Sequence, residues 1–157
     1  MSETAALAED RIYEFETASS ADTIEVGRKL AQLLVPPQLL VLRGDLGTGK
    51  TTLVKGIAEA LDAAEANEVT SPTFTLLHEY GGTREGKPVQ LYHLDVYRLE
   101  GERQLETLGL DDLLTDDALV LIEWGEKFKS ILAKATGEIT IRSAGGDTRR
   151  IKVTLKG

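Results

Sequence analysis

Gly44-Asp45-Leu46-Gly47-Thr48-Gly49-Lys50-Thr51 fills every place of the pattern G-x-x-x-x-G-K-[ST]. Glycines at these spacings let the backbone wrap so that successive N–H groups converge on a phosphate, and the helix N-terminus that follows adds positive potential. A lysine at position 50 can bridge the β- and γ-phosphates of a nucleotide. The Thr51 hydroxyl can ligate the Mg²⁺ that spans the same two groups. Such a loop also requires an acid to hold the cation or its waters, placed at the end of a neighbouring apolar strand. Two residues qualify. Glu123 ends the run Ala118-Leu119-Val120-Leu121-Ile122, and Asp95 ends Tyr92-His93-Leu94. Either acid could instead be a turn former or helix cap. Ser71-Pro72-Thr73 lies where a mobile γ-phosphate sensor would sit, although a proline turn opening a strand explains it equally well.

The elements around these residues follow from periodicity. Arg11 to Thr17 alternates apolar and polar and predicts a strand with one buried face. Ser19 and Ser20 can cap a helix whose apolar face is Ile24, Leu30, Ala31 and Leu34, stopped by Pro36-Pro37. Leu39 to Leu42 and Ala118 to Ile122 are uninterrupted apolar runs, as expected of strands covered on both faces. Between the first run and the helical spacing of Leu53, Ile57 and Leu61 lies the glycine loop, so strand, loop and helix occur in the required order. Phe74 to Tyr80 and Val89 to Leu94 read as a hairpin joined through Gly81-Gly82 and Gly86-Lys87-Pro88. Residues 102–115 predict short helices broken at Gly109, and a last hairpin turns at Gly145-Gly146-Asp147. The expected fold is α/β: a P-loop NTPase-like three-layer α/β/α sandwich with a mixed central sheet and antiparallel hairpins. Residues 1–10 read as a flexible tail and 11–157 as one domain, a size that buries a single core.

Composition narrows the classes. Hydrophobic residues make up 41% and charged residues 28% of the 157, which is ordinary for a globular chain. The absence of cysteine removes disulfides, thiol catalysis and cysteine-bound zinc, and fits a cytoplasmic location. The start has no basic region or long apolar run, and no stretch of eighteen apolar residues predicts a membrane span. A net charge of −8 argues against general attraction to nucleic acid. The charge is segregated, however. Residues 1–27 hold seven acids against Arg11, and residues 142–157 hold five bases against Asp147. These segments are either two solvated faces or a polarised surface for protein partners. His78 and His93 lack a partnered metal-binding spacing, and the sole tryptophan, Trp124, has the bland reading of a core or interface aromatic.

The motifs GDLGTGKTT, SPTF (71–74), HLDVYR (93–98), LGLDD (108–112) and IEW (122–124) together resemble the TsaE family, also called YjeE, through nearly the whole chain. Its members are bacterial ATPases of threonylcarbamoyladenosine biosynthesis in tRNA. The resemblance implies that Gly47, Thr48, Gly49, Lys50, Thr51 and Thr52 bind the phosphates of ATP and that Thr51 and Glu123 hold Mg²⁺. It implies that Asp95 serves hydrolysis, that Ser71 and Thr73 belong to a nucleotide-sensing switch, and that Trp124 and the Ser19-Ser20 turn lie beside the nucleotide. The implied partners are TsaD and TsaB, with tRNA met only through their complex. Thr48 stands where the family commonly has alanine and Gly125 where proline is frequent; neither change removes a functional group. Two other readings share the loop: a small-molecule kinase, for which no arginine-rich lid is visible, and a nucleotide-gated binding module.

Overall fold

The structure, a computed structural model, describes residues 9–45, 47–72 and 76–157. Most of the expected tail, together with Leu46, Thr73 and Phe74, lies outside the described residues. Seven strands form one mixed sheet: β1 (Arg11–Thr17), β2 (Gln38–Arg43), β3 (Leu77–Arg84), β4 (Lys87–Asp95), β5 (Ala118–Glu123), β6 (Gly137–Ser143) and β7 (Arg149–Leu155). Their order across the sheet is β1-β7-β6-β2-β5-β4-β3. The centre, β6-β2-β5-β4, is parallel, and antiparallel strands close both flanks.

The apolar runs become the middle of the sheet because only a strand covered on both faces tolerates them. Every residue of β5 is buried, as are the four central residues of β2. On one face pack α1 (Ser20–Leu33) and α2 (Lys50–Ala60), through Leu30, Leu34, Leu53 and Ile57 onto Leu40, Leu42 and Leu121. The Ser19 hydroxyl caps α1 by accepting the Asp22 N–H at 3.1 Å. The two helices touch backbone to backbone. A Cβ on Gly27 would strike the Leu53 carbonyl, and one on Gly56 the Ile24 carbonyl. On the other face lie the short helices α3 (Glu102–Thr107), α4 (Leu110–Leu113) and α5 (Lys129–Lys134). Leu105, Leu110 and Ile131 cover Leu39, Val41, Val120 and Ile122. This second layer stops at the centre. Over β1, β7 and β6 the sheet is open, and a concavity of about 640 Å³ there is lined by Glu14, Glu16, Glu138, Arg142, Arg150 and Lys152 among others.

Two expectations change. Gly81-Gly82 is no turn: β3 runs through it, and the hairpin turns at Glu85-Gly86. The reason is packing, since the Leu61 carbonyl accepts the Thr83 N–H at 2.7 Å and leaves no space for a Cβ on Gly82. The second change concerns charge. β1 pairs with β7, which sets Glu14 opposite Lys152 and Glu16 opposite Arg150, with Arg150 Nε 3.7 Å from Glu16. Two acids of the N-terminal segment and two bases of the C-terminal one therefore lie side by side along one ladder. Among the described residues no helix is long and apolar enough to cross a membrane.

Candidate functional site at the phosphate-binding loop

Parallel pairing brings β2, β5 and β4 to the same sheet edge. Leu42 is in register with Glu123, and Glu123 with Asp95, so the loop leaving β2 emerges beside both acids. Gly47 and Gly49 have φ of 80° and 106°, left-handed values that a side chain disfavours. They turn the chain into α2, which starts at Lys50 with no side-chain cap, leaving its first-turn N–H groups for an anion. No acid occupies that first turn. The loop is braced from inside, where the Thr48 hydroxyl donates to the Asp45 carbonyl at 2.8 Å.

Lys50 folds back into this junction and is almost wholly buried. Its ammonium donates to the Gly44 carbonyl at 2.6 Å, lies 3.3 Å from Glu123 Oε1, and sits 5.3 Å from the centroid of the Trp124 ring. The other oxygen of Glu123, Oε2, is 2.7 Å from His93 Nε2. Burial alone would push the Glu123 carboxyl up in pKa. The hydrogen bond and electrostatic attraction of His93, then those of Lys50, outweigh burial and hold it below its ordinary value of 4.5. Glu123 is thus an ionised, fixed carboxylate at the loop.

Asp95 is also buried, and its Oδ1 accepts the Tyr97 N–H at 3.0 Å. The Glu123 carbonyl accepts the Val96 N–H at 3.1 Å, which continues the β4–β5 ladder past both acids. Trp124 adopts φ 66°, an uncommon conformation for a bulky residue, at the turn where the chain leaves β5. Its indole packs at 5.0 Å on Tyr97 as well as facing Lys50. Lys50, Asp95, Glu123 and Trp124 are therefore brought to one place.

On the opposite side of the loop a cleft of about 120 Å³ is lined by Ser19, Ser20, Thr23, Gly47, Thr48, Gly49, Thr52, Asp147 and Arg149. Ser20 and Thr52 meet here because the Gly27–Gly56 contact draws α1 against α2. Thr51, in the first turn of α2, is half-buried. Ser71 is exposed beside the buried Pro72, while Thr73 lies outside the described residues.

Two residues at the site escaped the sequence reading. In the sequence His93 is an isolated histidine without metal-ligand spacing, and its contact with Glu123 crosses between strands thirty residues apart. Arg149 was counted only as terminal charge. Its Nε donates to the Thr48 carbonyl at 2.9 Å, and its Nη1 to the Gly146 carbonyl at 2.8 Å, tying the last hairpin to the phosphate loop. The HLDVYR motif pointed toward His93; no local signal marked Arg149.

No three His, Cys, Asp or Glu side chains converge as a metal site among the described residues. A cation beside Thr51 and Glu123 would need oxygens from a nucleotide to complete its shell, which is how a phosphate-bridging Mg²⁺ is held.

A family model described as "Threonylcarbamoyl adenosine biosynthesis protein TsaE" matches residues 17–151. The chain is similar to a protein of Bacillus subtilis (strain 168) named "tRNA threonylcarbamoyladenosine biosynthesis protein TsaE", 38% identical over 143 residues, covering 91% of this chain and 85% of that one. A protein of the same name in Streptomyces coelicolor is 42% identical over 135 residues, covering 83% and 88%. Among solved structures, the crystal structure of YdiB from Bacillus subtilis superposes with a TM-score of 0.68 at 31% identity, covering 96% of this chain and 89% of that one.

Proposed function

The chain belongs to the TsaE family, and from that premise we propose that it is a Mg²⁺-dependent ATPase acting in threonylcarbamoyladenosine formation on tRNA with TsaD and TsaB, inside the cytoplasm. The observation that carries the reading is the buried Lys50–Glu123 pair at 3.3 Å beneath a complete phosphate loop. Two opposite charges held out of water beside an anion-binding turn are costly, and a ligand that engages both explains their retention.

The residues divide the work as follows. Loop N–H groups from Gly47 to Thr52 grip the phosphates, and Lys50 turns from Glu123 toward the β- and γ-oxygens. The Thr51 hydroxyl and Glu123 Oε1 are the groups that would hold Mg²⁺, and its positive charge would be the chemistry it supplies. Asp95, one rung across the ladder from Glu123, orients the attacking water. Ser71 and Thr73 sense the γ-phosphate, and Ser20 and Thr52 border the rest of the nucleotide. Trp124 screens the Lys50 ammonium from solvent.

The test is tRNA modification reconstituted with TsaD, TsaB and this chain, with ATP hydrolysis followed in parallel. Lys50→Ala and Glu123→Ala should each lower both rates by about a hundredfold or more. Asp95→Ala should still bind ATP yet fail to sustain repeated turnover. Full modification with Lys50→Ala would overturn the proposal.

A further inference from the structure

His93 lies near the C-terminal end of β4, in register with Leu121 on one side and His78 on the other, and is 0% exposed. Its Nε2 meets Glu123 Oε2 at 2.7 Å, while its Nδ1 is buried with no hydrogen-bond partner among the described residues. A histidine kept only for packing would satisfy both nitrogens or be replaced by an apolar residue, because an unpaired buried polar atom is unfavourable. Here the ring gives its one useful contact to the acid at the phosphate loop. An ionised carboxylate accepts only, so the hydrogen sits on Nε2 and His93 is the donor.

The division of Glu123 between its neighbours is specific. Oε2 belongs to His93 and Oε1 faces Lys50. When Lys50 turns to phosphate oxygens, one of these restraints is lost and His93 remains. We infer that His93 is the positioning residue for Glu123: its Nε2–H anchors Oε2, and thereby presents Oε1 to a divalent cation bridging a nucleotide's phosphates. This rests on the nucleotide reading above and adds a residue to it. Partners that orient a metal-holding carboxylate commonly change metal affinity by tenfold or more when removed.

The experiment uses the fluorescence of Trp124, the single tryptophan, to follow ATP binding with Mg²⁺ varied and, separately, with Mg²⁺ chelated. His93→Leu should raise the Mg²⁺ concentration needed for half of the Mg²⁺-dependent response by about tenfold, with binding of metal-free ATP unchanged. His93→Gln, which keeps an N–H donor near the place of Nε2, should restore most of the response. In the wild-type chain, ¹⁵N spectra of the ring should show a hydrogen on Nε2; this measurement needs no variant to fold. A wild-type Mg²⁺ requirement in His93→Leu overturns the inference. So does an equal loss of metal-free ATP binding, or a hydrogen found on Nδ1 alone. If the wild-type chain itself shows no response to ATP, the nucleotide reading falls and takes the inference with it.

Discussion

The ammonium of Lys50 sits among a carbonyl, a carboxylate and an indole face, and Glu123 is shared between it and His93. The contacts that His93 and Lys50 make with Glu123 keep it ionised despite its burial. Unfolded, the carboxyl returns to its ordinary value of 4.5; folded, it lies lower. The folded chain therefore holds fewer protons at this site than the unfolded chain as the pH falls through that window. The stabilisation is fully present above pH 4.5 and is lost as the pH drops through the lower, folded value. Chemical denaturation from about pH 7 to about pH 3 should show a shallower acid loss for Glu123→Gln than for the wild type. Parallel profiles would mean that Glu123 does not titrate as described.

At the scale of elements, the α1–α2 crossing fixes where the Ser19-Ser20 turn meets the loop. Alanine usually stabilises an exposed helix interior relative to glycine by roughly 0.5–1 kcal/mol. At Gly56 the sign should reverse, because the added Cβ drives into the Ile24 carbonyl. Overpacking of this kind costs about 1–3 kcal/mol, readable in urea denaturation, and Gly56→Ala should also weaken ATP binding by shifting α1 on the cleft. An increase in stability would refute the close contact. Much at this scale was legible beforehand. Apolar runs marked β2 and β5, and the glycine pattern marked the start of α2, since local physics suffices for both. Gly81-Gly82 misled because the same residue type serves a turn and a strand pressed by a neighbouring carbonyl. Only the position of Leu61 separates the two uses.

Across the whole molecule, the charge segregation seen along the chain becomes adjacency. Pairing of β1 with β7 unites residues 132 or more positions apart, from Thr17 with Arg149 outward, and no local pattern encodes such a meeting. His93 and Arg149 were hidden for the same reason: their partners, Glu123 and Thr48, come from distant strands and loops. Lys152→Glu would set like charges opposite each other at Glu14, with only Thr140 facing it from β6. It should destabilise the chain by about 0.5–1 kcal/mol at low salt, with most of the loss recovered at high salt because the pair is exposed. A salt-independent loss would point instead to damage in the hairpin that carries Arg149.

The strand order also has a consequence for how the chain is made. Of the seven described strands synthesis delivers β1 first, yet its neighbour in the sheet, β7, is the last of them to emerge. The strand that leads into the phosphate loop, β2, waits likewise for β5 and β6. On the ribosome α1 and α2 can meet early through their glycine contact, but the sheet beneath them is complete only once the β6–β7 hairpin has been made. The brace that Arg149 gives the loop is made 101 residues after Thr48.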